Sequence, residues 1–446
     1  MSHSHAGHAA AEAPDPYSPH TGNANLHVER YELELACKLG GNRLDGTATL
    51  RLVARPGTER AELDLVGLAV HRVNVDGKKV TFKHRHSRLS FPLPAKHAGA
   101  AVEVQIRYGG NPGPRLGPWG DVGWEELEDG VLVAGQPDGA STWFPCNDTP
   151  GDKSAYRMSI TTDAGYRPVA PGRLVEHRRT SSRETWVFEQ EAPTAAYLAT
   201  LQIGRYAPRP LGQAGAEDTP LTLYSSDAQA VRAQITFSDQ ADLLEAFEAA
   251  FGPYPFASYG AIVTEDELEI PLEAQGLSVF GDNHLTRAWE AQRLIAHEFA
   301  HQWFGNSLTV RGWRDVWMHE GFACYAEWLW SEASGSTPLR ERAWRAWTGL
   351  QSGPQDLRIG DPGPADMFDD RVYKRGALTV LALREELGEE GFTRMLHAWT
   401  AEHRHGSVDR ALFEAHLSAH AAPGQDPLGV LTAWLDREEL PPFPQP

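Results

Sequence analysis

The sequence predicts an α+β protein of several domains, in which a β-rich N-terminal part precedes a mainly helical C-terminal part. Its 446 residues exceed what one hydrophobic core usually contains, so two or three domains are expected. Between about 25 and 206, apolar and polar residues alternate, as at Leu33, Leu35 and Cys37, which is typical of half-buried strands. From about 228 onward the apolar residues follow helical spacing instead.

The change in periodicity divides the chain into segments. We predict a disordered, histidine-containing tail over 1–24, a β-rich domain over 25–207 and a second domain over 208–446. The tail is rich in Ala, Pro and Ser and has too few apolar residues to form a core. Residues 208–220 are rich in Gly and Pro, and we expect them to form the loop that connects the two domains.

The composition restricts the expected partners and compartment. There are 60 acidic and 41 basic residues, and the formal charge of -19 repels nucleic acid and anionic membranes. The same charge attracts cations, such as the N-terminal ammonium of a peptide. Three cysteines are too few for a disulfide framework, and no apolar run is long enough for an export signal or a membrane span. We therefore expect a cytoplasmic protein with no nucleic-acid or membrane partner.

A metal-binding pattern lies in the sequence LIAHEFAHQWFGN. His297, Glu298 and His301 form HExxH, and apolar residues recur every four positions on another face of the same predicted helix. Two histidines four residues apart on a helix reach one metal ion, while the intervening carboxylate lies beside the ion without binding it. Taken alone, the motif also fits two core histidines in a buried helix that binds no metal.

A second predicted helix, WMHEGFACYAEWLW, supplies a third ligand. Glu320 follows His301 by nineteen positions and shares a helix face with Glu327, and we expect Asp315 to cap the start of this helix. Two imidazoles and one carboxylate, with a fourth position left to water, are typical of a catalytic zinc, because a structural zinc has four protein ligands. The tryptophans around both glutamates indicate burial rather than solvated surface charge.

These residues resemble the gluzincin aminopeptidases, the family of aminopeptidase N and the leukotriene hydrolase. The family pattern of HExxH, eighteen residues and Glu corresponds to HEFAH and to Glu320 within WMHEGFA, which is similar to WLNEGFA. His319 stands where the family usually has Asn, at a position that is not a ligand. Three more segments are similar to family motifs: WFPCNDTPGDKSAY (143–156) to FPCxDxPxxKA, GPYPF (252–256) to the same five residues, and VYKRGAL, with Tyr373, to YxKGA.

The resemblance implies a fold and a metal. The expected fold is a saddle-like antiparallel β-sheet domain followed by a thermolysin-like, mainly helical zinc-peptidase domain, in a short form without the C-terminal helical domain of larger relatives. One Zn²⁺ per chain would be held by His297, His301 and Glu320. Glu298 would act as the general base and Tyr373 would donate a hydrogen bond to the oxyanion, as the resemblance implies.

The resemblance also implies that the substrate is a peptide with a free N-terminus. Glu273, in PLEAQGL, corresponds to the acid of the family's GxMEN motif and would bind the terminal ammonium. Ala274 and Ile270 depart from that motif, in which Asn and Gly are usual. Gln136, in GQPDGA, stands where relatives carry a second amine-binding Glu or Gln, and it would add a neutral hydrogen bond.

Alternative functions differ in what they require of these residues. A related zinc endopeptidase would not need Glu273, and an epoxide hydrolase would need a fitted lipid pocket that the sequence does not reveal. An inactive peptide-binding scaffold would be expected to have lost a ligand, the base or the tyrosine, all of which are present. Glu327 and Asp315 are interpreted as structural residues, because metal-bound imidazoles usually need an outer hydrogen-bond acceptor.

Overall fold

The computed structural model describes residues 15–94 and 99–445, and the first half of the chain is built mostly of strands. Leu33, Leu35 and Cys37 are buried and alternate with more exposed neighbours, as their spacing predicted. The strands of this half are β1 (Leu26–Lys38), β2 (Arg43–Ala54), β3 (Arg60–Asp64), β4 (Ala69–Val75), β5 (Lys78–Lys79), β6 (Lys83–Arg85), β7 (Arg88–Pro92), β8 (Ala101–Gly110), β9 (Pro114–Gly117), β10 (Gly120–Leu127), β11 (Gly130–Ala134), β12 (Lys153–Asp163), β13 (Arg167–Val169), β14 (Arg173–Thr180), β15 (Arg183–Ala195) and β16 (Gln202–Gly204).

Eight of these strands form one large sheet in the order β14-β15-β12-β1-β2-β8-β4-β5. Neighbouring strands are antiparallel except β1 and β12, which run parallel. A parallel pair requires a long connection, and here the chain from β2 to β11 provides it. Two smaller sheets, β13-β16-β11-β10-β9 and β3-β7-β6, complete this half.

The start of the described chain packs on the helical half. Tyr17 is buried in the same core as the helices, and its hydroxyl donates to Asp361 Oδ1 over 2.5 Å. Asp15 Oδ2 accepts a hydrogen bond of 2.7 Å from the backbone of Trp313. Residues 15–24, which the sequence assigned to a disordered tail, are therefore ordered, because one aromatic side chain and one carboxylate find partners distant in sequence. His3, His5 and His8 lie outside the described residues.

The second half combines helices with a small sheet. Its five-stranded sheet has the order β17-β18-β19-β21-β20, with β18, β19 and β21 parallel. The helices are α1 (Ala230–Thr236), α2 (Gln240–Phe251), α3 (Trp289–Ala300), α4 (Trp317–Ala333), α5 (Leu339–Gln351), α6 (Asp370–Leu387), α7 (Glu389–Glu402), α8 (Arg410–His420) and α9 (Pro427–Leu435). The strands are β17 (Ala207–Ala214), β18 (Thr219–Ser225), β19 (Tyr259–Val263), β20 (Leu272–Ala274), β21 (Leu277–Phe280), β22 (Thr309–Val310) and β23 (Ser407–Val408).

The predicted connecting loop over 208–220 is wrong, because most of it forms strand β17. Pro208 and Pro210 pair with Tyr224 and Thr222 of β18. Proline lacks a backbone N–H and is tolerated in a strand only where that group faces no neighbour. Since β17 is the edge strand of its sheet, it accommodates both prolines.

Two large hydrophobic cores stabilise the two halves, and a small core joins them. One large core lies among the N-terminal sheets and the other among the helices. The small core contains Leu132 and Val169 from the first half and Ile262 and Val279 from the second. In the two described ranges, no helix is both long and apolar enough to cross a membrane.

Candidate active site

The HExxH motif lies at the end of α3. His297 and Glu298 are in its last turn, and His301 is the next residue after Ala300, still with helical backbone angles of -55° and -22°. All three side chains are buried. The chain turns away at Gly305, whose φ of +125° is strained for any residue with a Cβ. The motif therefore lies at the buried end of a helix, and its spacing predicted the helix.

Glu320, in the first turn of α4, completes a three-residue cluster. Its Oε2 lies 3.3 Å from His297 Nε2 and 3.5 Å from His301 Nε2. One potential ligand atom from each of the three residues lies within 4.8 Å of the other two. The structure thus brings together all three predicted ligands, with one potential ligand atom of each facing a common point.

The cluster stabilises positive charge at its centre. Burial alone would lower the pKa of both imidazoles, but hydrogen bonds and charge from Glu320 and Glu327 raise it to about 9 for His297. The pKa of His301 is raised to about 10, mainly by Glu320 against the effect of burial. Burial would raise the pKa of Glu320, yet the two imidazoles hold it well below its usual range. A divalent cation would replace these protons, and two imidazoles with one carboxylate fit zinc.

Each candidate imidazole ligand is oriented by a hydrogen bond from its other ring nitrogen. His297 Nδ1 donates to Glu327 Oε1 over 2.9 Å, and His301 Nδ1 donates to the carbonyl of Phe304 over 2.9 Å. Although burial opposes it, Lys374 and His297 lower the pKa of Glu327, which therefore stays ionised. Glu327 is the outer acceptor that the sequence analysis expected.

Asp315 has a different role from the one predicted. Helix α4 begins at Trp317 without a side-chain cap, because Asp315 ends a short 3-10 turn that continues directly into the helix. Its Oδ2 instead accepts a 3.3 Å hydrogen bond from the backbone of Arg410, at the start of α8. Asp315 therefore joins two helices rather than capping one.

Glu298 and Glu273 face the same space as the cluster. A carboxylate oxygen of each lies within 4.8 Å of the other and of a ring nitrogen of His301. Glu298 is buried, and its Oε2 has no hydrogen-bond partner among the described residues. Burial, together with the charges of Glu298 and Glu320, raises the pKa of Glu273 to about 8 against the opposing effect of His301. Both carboxylates are thus available to a ligand.

The hairpin that presents Glu273 is fastened to the end of α3. Glu273 lies on β20, which turns into β21 at Gly276. The carbonyl of Ala274 accepts hydrogen bonds from Asn306 Nδ2 over 2.8 Å and Gln302 Nε2 over 3.2 Å. Gln302 Oε1 also accepts the backbone N–H of Gly276 over 2.8 Å. Although Ala274 departs from the GxMEN motif, side-chain amides therefore hold this hairpin in place.

Gln136 lies two residues beyond β11, in a loop that packs on Tyr197. A Cβ at Gly135 would lie 2.0 Å from the carbonyl oxygen of Tyr197, so the neighbouring position admits only glycine. The hydroxyl of Tyr197 donates to Gly305 over 3.3 Å, and burial and the charge of Glu273 raise its pKa. Gln136 Nε2 is buried and has no acceptor among the described residues.

Tyr373 reaches the cluster because α4 and α6 approach each other closely. A Cβ at Gly321 would lie 2.8 Å from the backbone of Gly376, so the helices cross at two glycines. This crossing brings Tyr373, one turn before Gly376, over His297, with ring centroids 5.9 Å apart and planes inclined by 22°. Burial and the carboxylates around it, Glu320 foremost, raise the pKa of Tyr373 well above its usual value. Tyr373 therefore keeps its proton and remains a donor.

Lys153 contributes a contact that the sequence did not predict. It lies at the start of β12, is fully buried, and donates to the carbonyls of Asn306 over 2.9 Å and Ser307 over 2.8 Å. Those carbonyls belong to the turn that follows HExxH. The lysine was visible within WFPCNDTPGDKSAY, but only the fold reveals that the N-terminal half supports the candidate metal centre through it.

His319 and Trp119 make further contacts that were not predicted. His319 Nε2 accepts the backbone N–H of Val310 over 2.9 Å, and burial lowers the pKa of His319 to about 3. His319 thus supports β22, and it is not among the described residues grouped around the candidate metal centre. Trp119, at the tip of the β9–β10 hairpin, donates to the carbonyl of Pro364 over 2.9 Å and packs edge-on against Phe368. This contact joins the β-rich half to the segment preceding α6.

The β-rich half and the helical half, which carries the HExxH cluster, each match a family model. Residues 235–434 match the Peptidase family M1 domain, and residues 27–198 match the Peptidase M1 N-terminal domain. The chain belongs to peptidase family M1. It is 22% identical to the probable aminopeptidase 1 of Sulfurisphaera tokodaii over 93% of this chain and 54% of that protein. The chain thus spans about half the length of the curated relatives that head this comparison.

Solved structures share the fold of this chain. The M1 zinc metallopeptidase of Deinococcus radiodurans is 27% identical, with a TM-score of 0.89 over 97% of this chain and 99% of that one. The yeast leukotriene A4 hydrolase, at 21% identity, shares the fold with a TM-score of 0.81 over 94% of this chain and 69% of its own. The predicted family and two-part fold are therefore confirmed.

Proposed function

We propose that this protein is a zinc aminopeptidase that removes the N-terminal residue from peptides. The observation that carries the proposal is the convergence of five side chains on one largely buried space: His297, Glu298, His301, Glu320 and Glu273. Two imidazoles and one carboxylate are the open ligand set of a hydrolytic zinc site. The other two carboxylates supply a proton acceptor and an anion for an ammonium group.

The catalytic roles follow from the hydrogen-bonding state of each group. When bound by His297, His301 and Glu320, zinc supplies Lewis-acid chemistry, polarising the scissile carbonyl and favouring ionisation of water. Glu298 accepts the proton of the attacking water at its free Oε2 and delivers it to the leaving amine. Tyr373 donates its phenolic proton in a hydrogen bond to the oxyanion that develops on the scissile carbonyl.

Glu273 determines that cleavage is terminal. An ammonium group placed against the half-buried carboxylate of Glu273 forms a charge-assisted hydrogen bond with it, and this contact fixes the first peptide bond near Glu298. Gln136 Nε2 has no acceptor among the described residues, so it is free to donate a hydrogen bond to a substrate carbonyl or a water. The predicted contact of Gln136 with the substrate amine would use its amide oxygen instead, because an ammonium group only donates. The substrate class is supported by the Deinococcus enzyme, a variant of which is bound to a Tyr-Ser-Ala substrate.

A reporter assay with blocked and free substrates tests this function. Aminoacyl amides with free N-termini should be hydrolysed, a chelator should abolish turnover, and zinc should restore it. The N-acetylated forms of the same reporters should resist cleavage. Because the only difference between the two sets is the ammonium group, the comparison isolates the exopeptidase requirement.

Other outcomes of the same assay identify the alternatives. Efficient, chelator-sensitive hydrolysis of acetylated peptides would indicate an endopeptidase. Turnover of an epoxide without turnover of amides would indicate an epoxide hydrolase. Stoichiometric zinc with no turnover of any substrate would leave an inactive peptide-binding scaffold.

A further inference from the structure

A second group of metal-ligating side chains lies away from the candidate active site, where α7 ends and α8 packs against it. It contains Glu402, the last residue of α7, His403, which follows it, and His416 of α8. One potential ligand atom from each lies within 4.8 Å of the other two. The group shares no residue with the candidate catalytic cluster.

His416 is already held in the orientation that a metal ligand needs. It is buried, and its Nε2 donates to the carbonyl of Met395 over 2.9 Å. A carbonyl only accepts, so the proton is on Nε2 and the electron pair is on Nδ1. Nδ1 lies 3.6 Å from Glu402 Oε2, which is too long for a hydrogen bond. Outer hydrogen bonds of this kind orient ligand histidines in metal sites.

His403 lies next to the same point. Its imidazole packs on Trp399, with ring centroids 4.4 Å apart, and lies 6.0 Å from the ring of His416. Burial and the neighbouring His416 lower the pKa of His403, and burial likewise lowers that of His416. Both imidazoles are therefore neutral near pH 7, the form that binds metals. Glu402 is exposed and leaves one side open to water.

We propose that Glu402, His403 and His416 bind a second divalent transition-metal ion, separate from the catalytic one. Imidazole nitrogens with a single carboxylate suit zinc, nickel or copper, whereas calcium and magnesium require mainly oxygen ligands. Such an ion links the end of α7 to α8.

The linked segment supports the turn after the HExxH motif. The chain between the two helices contains β23, which pairs with β22, and the carbonyl of Gly406 accepts the backbone N–H of Thr309 over 3.2 Å. The carbonyl of Gly406 also lies 3.4 Å from the ammonium of Lys153. The second ion therefore braces this turn from the outside without contacting the substrate.

The test measures the stoichiometry and affinity of zinc binding in the zinc-loaded 446-residue chain. To remove any zinc taken up by the histidines of the N-terminal tail, the background variant carries Ala at His3, His5 and His8. Equilibrium dialysis against Zn²⁺ should show a second equivalent per chain. Glu402→Gln and His416→Gln should each lower the affinity for the second zinc ion roughly 10- to 100-fold or more, while the affinity for the first zinc ion is unchanged.

A matched control lies on the same helix. His397 Nε2, on α7, donates to the carbonyl of Ala249 over 3.1 Å and is not in the cluster, so His397→Gln should leave both equivalents bound. Glu402 is exposed, so Glu402→Gln remains decisive even where His416→Gln disturbs packing. The proposal is overturned when the background variant binds one equivalent only, or when the second equivalent persists in Glu402→Gln at unchanged affinity.

Discussion

The Nδ1 of His297 lies 2.9 Å from Oε1 of Glu327, a carboxylate seven residues beyond the ligand candidate Glu320 on the same helix. Two turns of α4 thus supply both a ligand and the acceptor that orients another ligand. Because Glu327 is buried and ionised beside His297, it raises the basicity of the imidazole nitrogen that faces the metal.

This relationship predicts an effect of Glu327→Gln on zinc affinity rather than on the chemical step. Loss of the charge should weaken zinc binding roughly 10- to 100-fold, with kcat little changed at saturating zinc. The dissociation constant is measured by competition with a chelator. Glu332→Gln, on the same helix, keeps an oxygen acceptor for the backbone of Leu339 and serves as the control. An unchanged zinc affinity in Glu327→Gln would remove the orienting role.

Glu298→Gln separates the base from the ligands. The amide has nearly the same shape but cannot take a proton, so kcat should fall about 10²- to 10⁴-fold while the catalytic zinc stays bound. Turnover and metal content are measured on the same sample. Glu290→Gln, at the exposed start of α3, should change neither quantity. Loss of zinc from Glu298→Gln would mean that the ligands are wrongly assigned.

The metal cluster could be predicted from the sequence because its information is local. A spacing of four along one helix and of seven along another places these side chains on shared faces whatever the rest of the chain does. The family motifs added Tyr373 and Glu273. Residues 208–220 were wrongly predicted as a loop because the tolerance of Pro208 and Pro210 depends on the edge position of β17, which only the assembled sheet reveals.

The contacts between the β-rich half and the helical half could not be predicted, because they join residues that are far apart in sequence. Lys153 meets the carbonyls of Asn306 and Ser307 across more than 150 positions of sequence, and Trp119 meets Pro364 across 245. The periodicity of a sequence does not indicate which residues so far apart contact each other. A buried lysine that pairs with no carboxylate is also rare in proteins, so the sequence alone would place Lys153 at the surface.

Tyr373→Phe removes one hydroxyl from the space above His297. If that hydroxyl stabilises the oxyanion, kcat should fall roughly 10²- to 10³-fold with KM little changed, since the donor acts mainly in the transition state. Steady-state kinetics on a free aminoacyl amide measures both constants. Tyr166→Phe, in the N-terminal half, is the control. An equal rate in Tyr373→Phe would exclude the phenol from the mechanism.

Glu273→Gln tests recognition of the substrate ammonium. Replacing the charged acceptor by a neutral amide removes a charge-assisted hydrogen bond, and kcat/KM for free aminoacyl amides should fall about 10- to 100-fold. The residual rate on acetylated reporters should be unaffected, because these substrates carry no ammonium. Glu269→Gln, exposed in the same segment, should behave as the parent enzyme. A parallel loss on both substrate sets would show that Glu273 supports the hairpin and not the amine.

Lys153 predicts a pH dependence of stability. Burial lowers the pKa of Lys153 to about 7, below the 10.5 of an exposed lysine. Below pH 7 both the folded and the unfolded chain hold the proton, and burial of the ammonium then lowers the free energy of unfolding by its full amount. Above it, only the unfolded chain holds the proton, so the free energy of unfolding should rise with pH by up to about 1.4 kcal/mol per unit.

The comparison with Lys153→Met isolates this contribution. Urea unfolding between about pH 6 and pH 9 should give a steeper rise for the parent protein than for Lys153→Met, which has no proton to lose. Lys83→Met removes an exposed lysine of the same half and should follow the parent curve. If the parent and Lys153→Met curves run parallel, the three carbonyls around the ammonium hold its proton throughout this range, and the lysine is a permanently charged clamp on the turn after the HExxH motif.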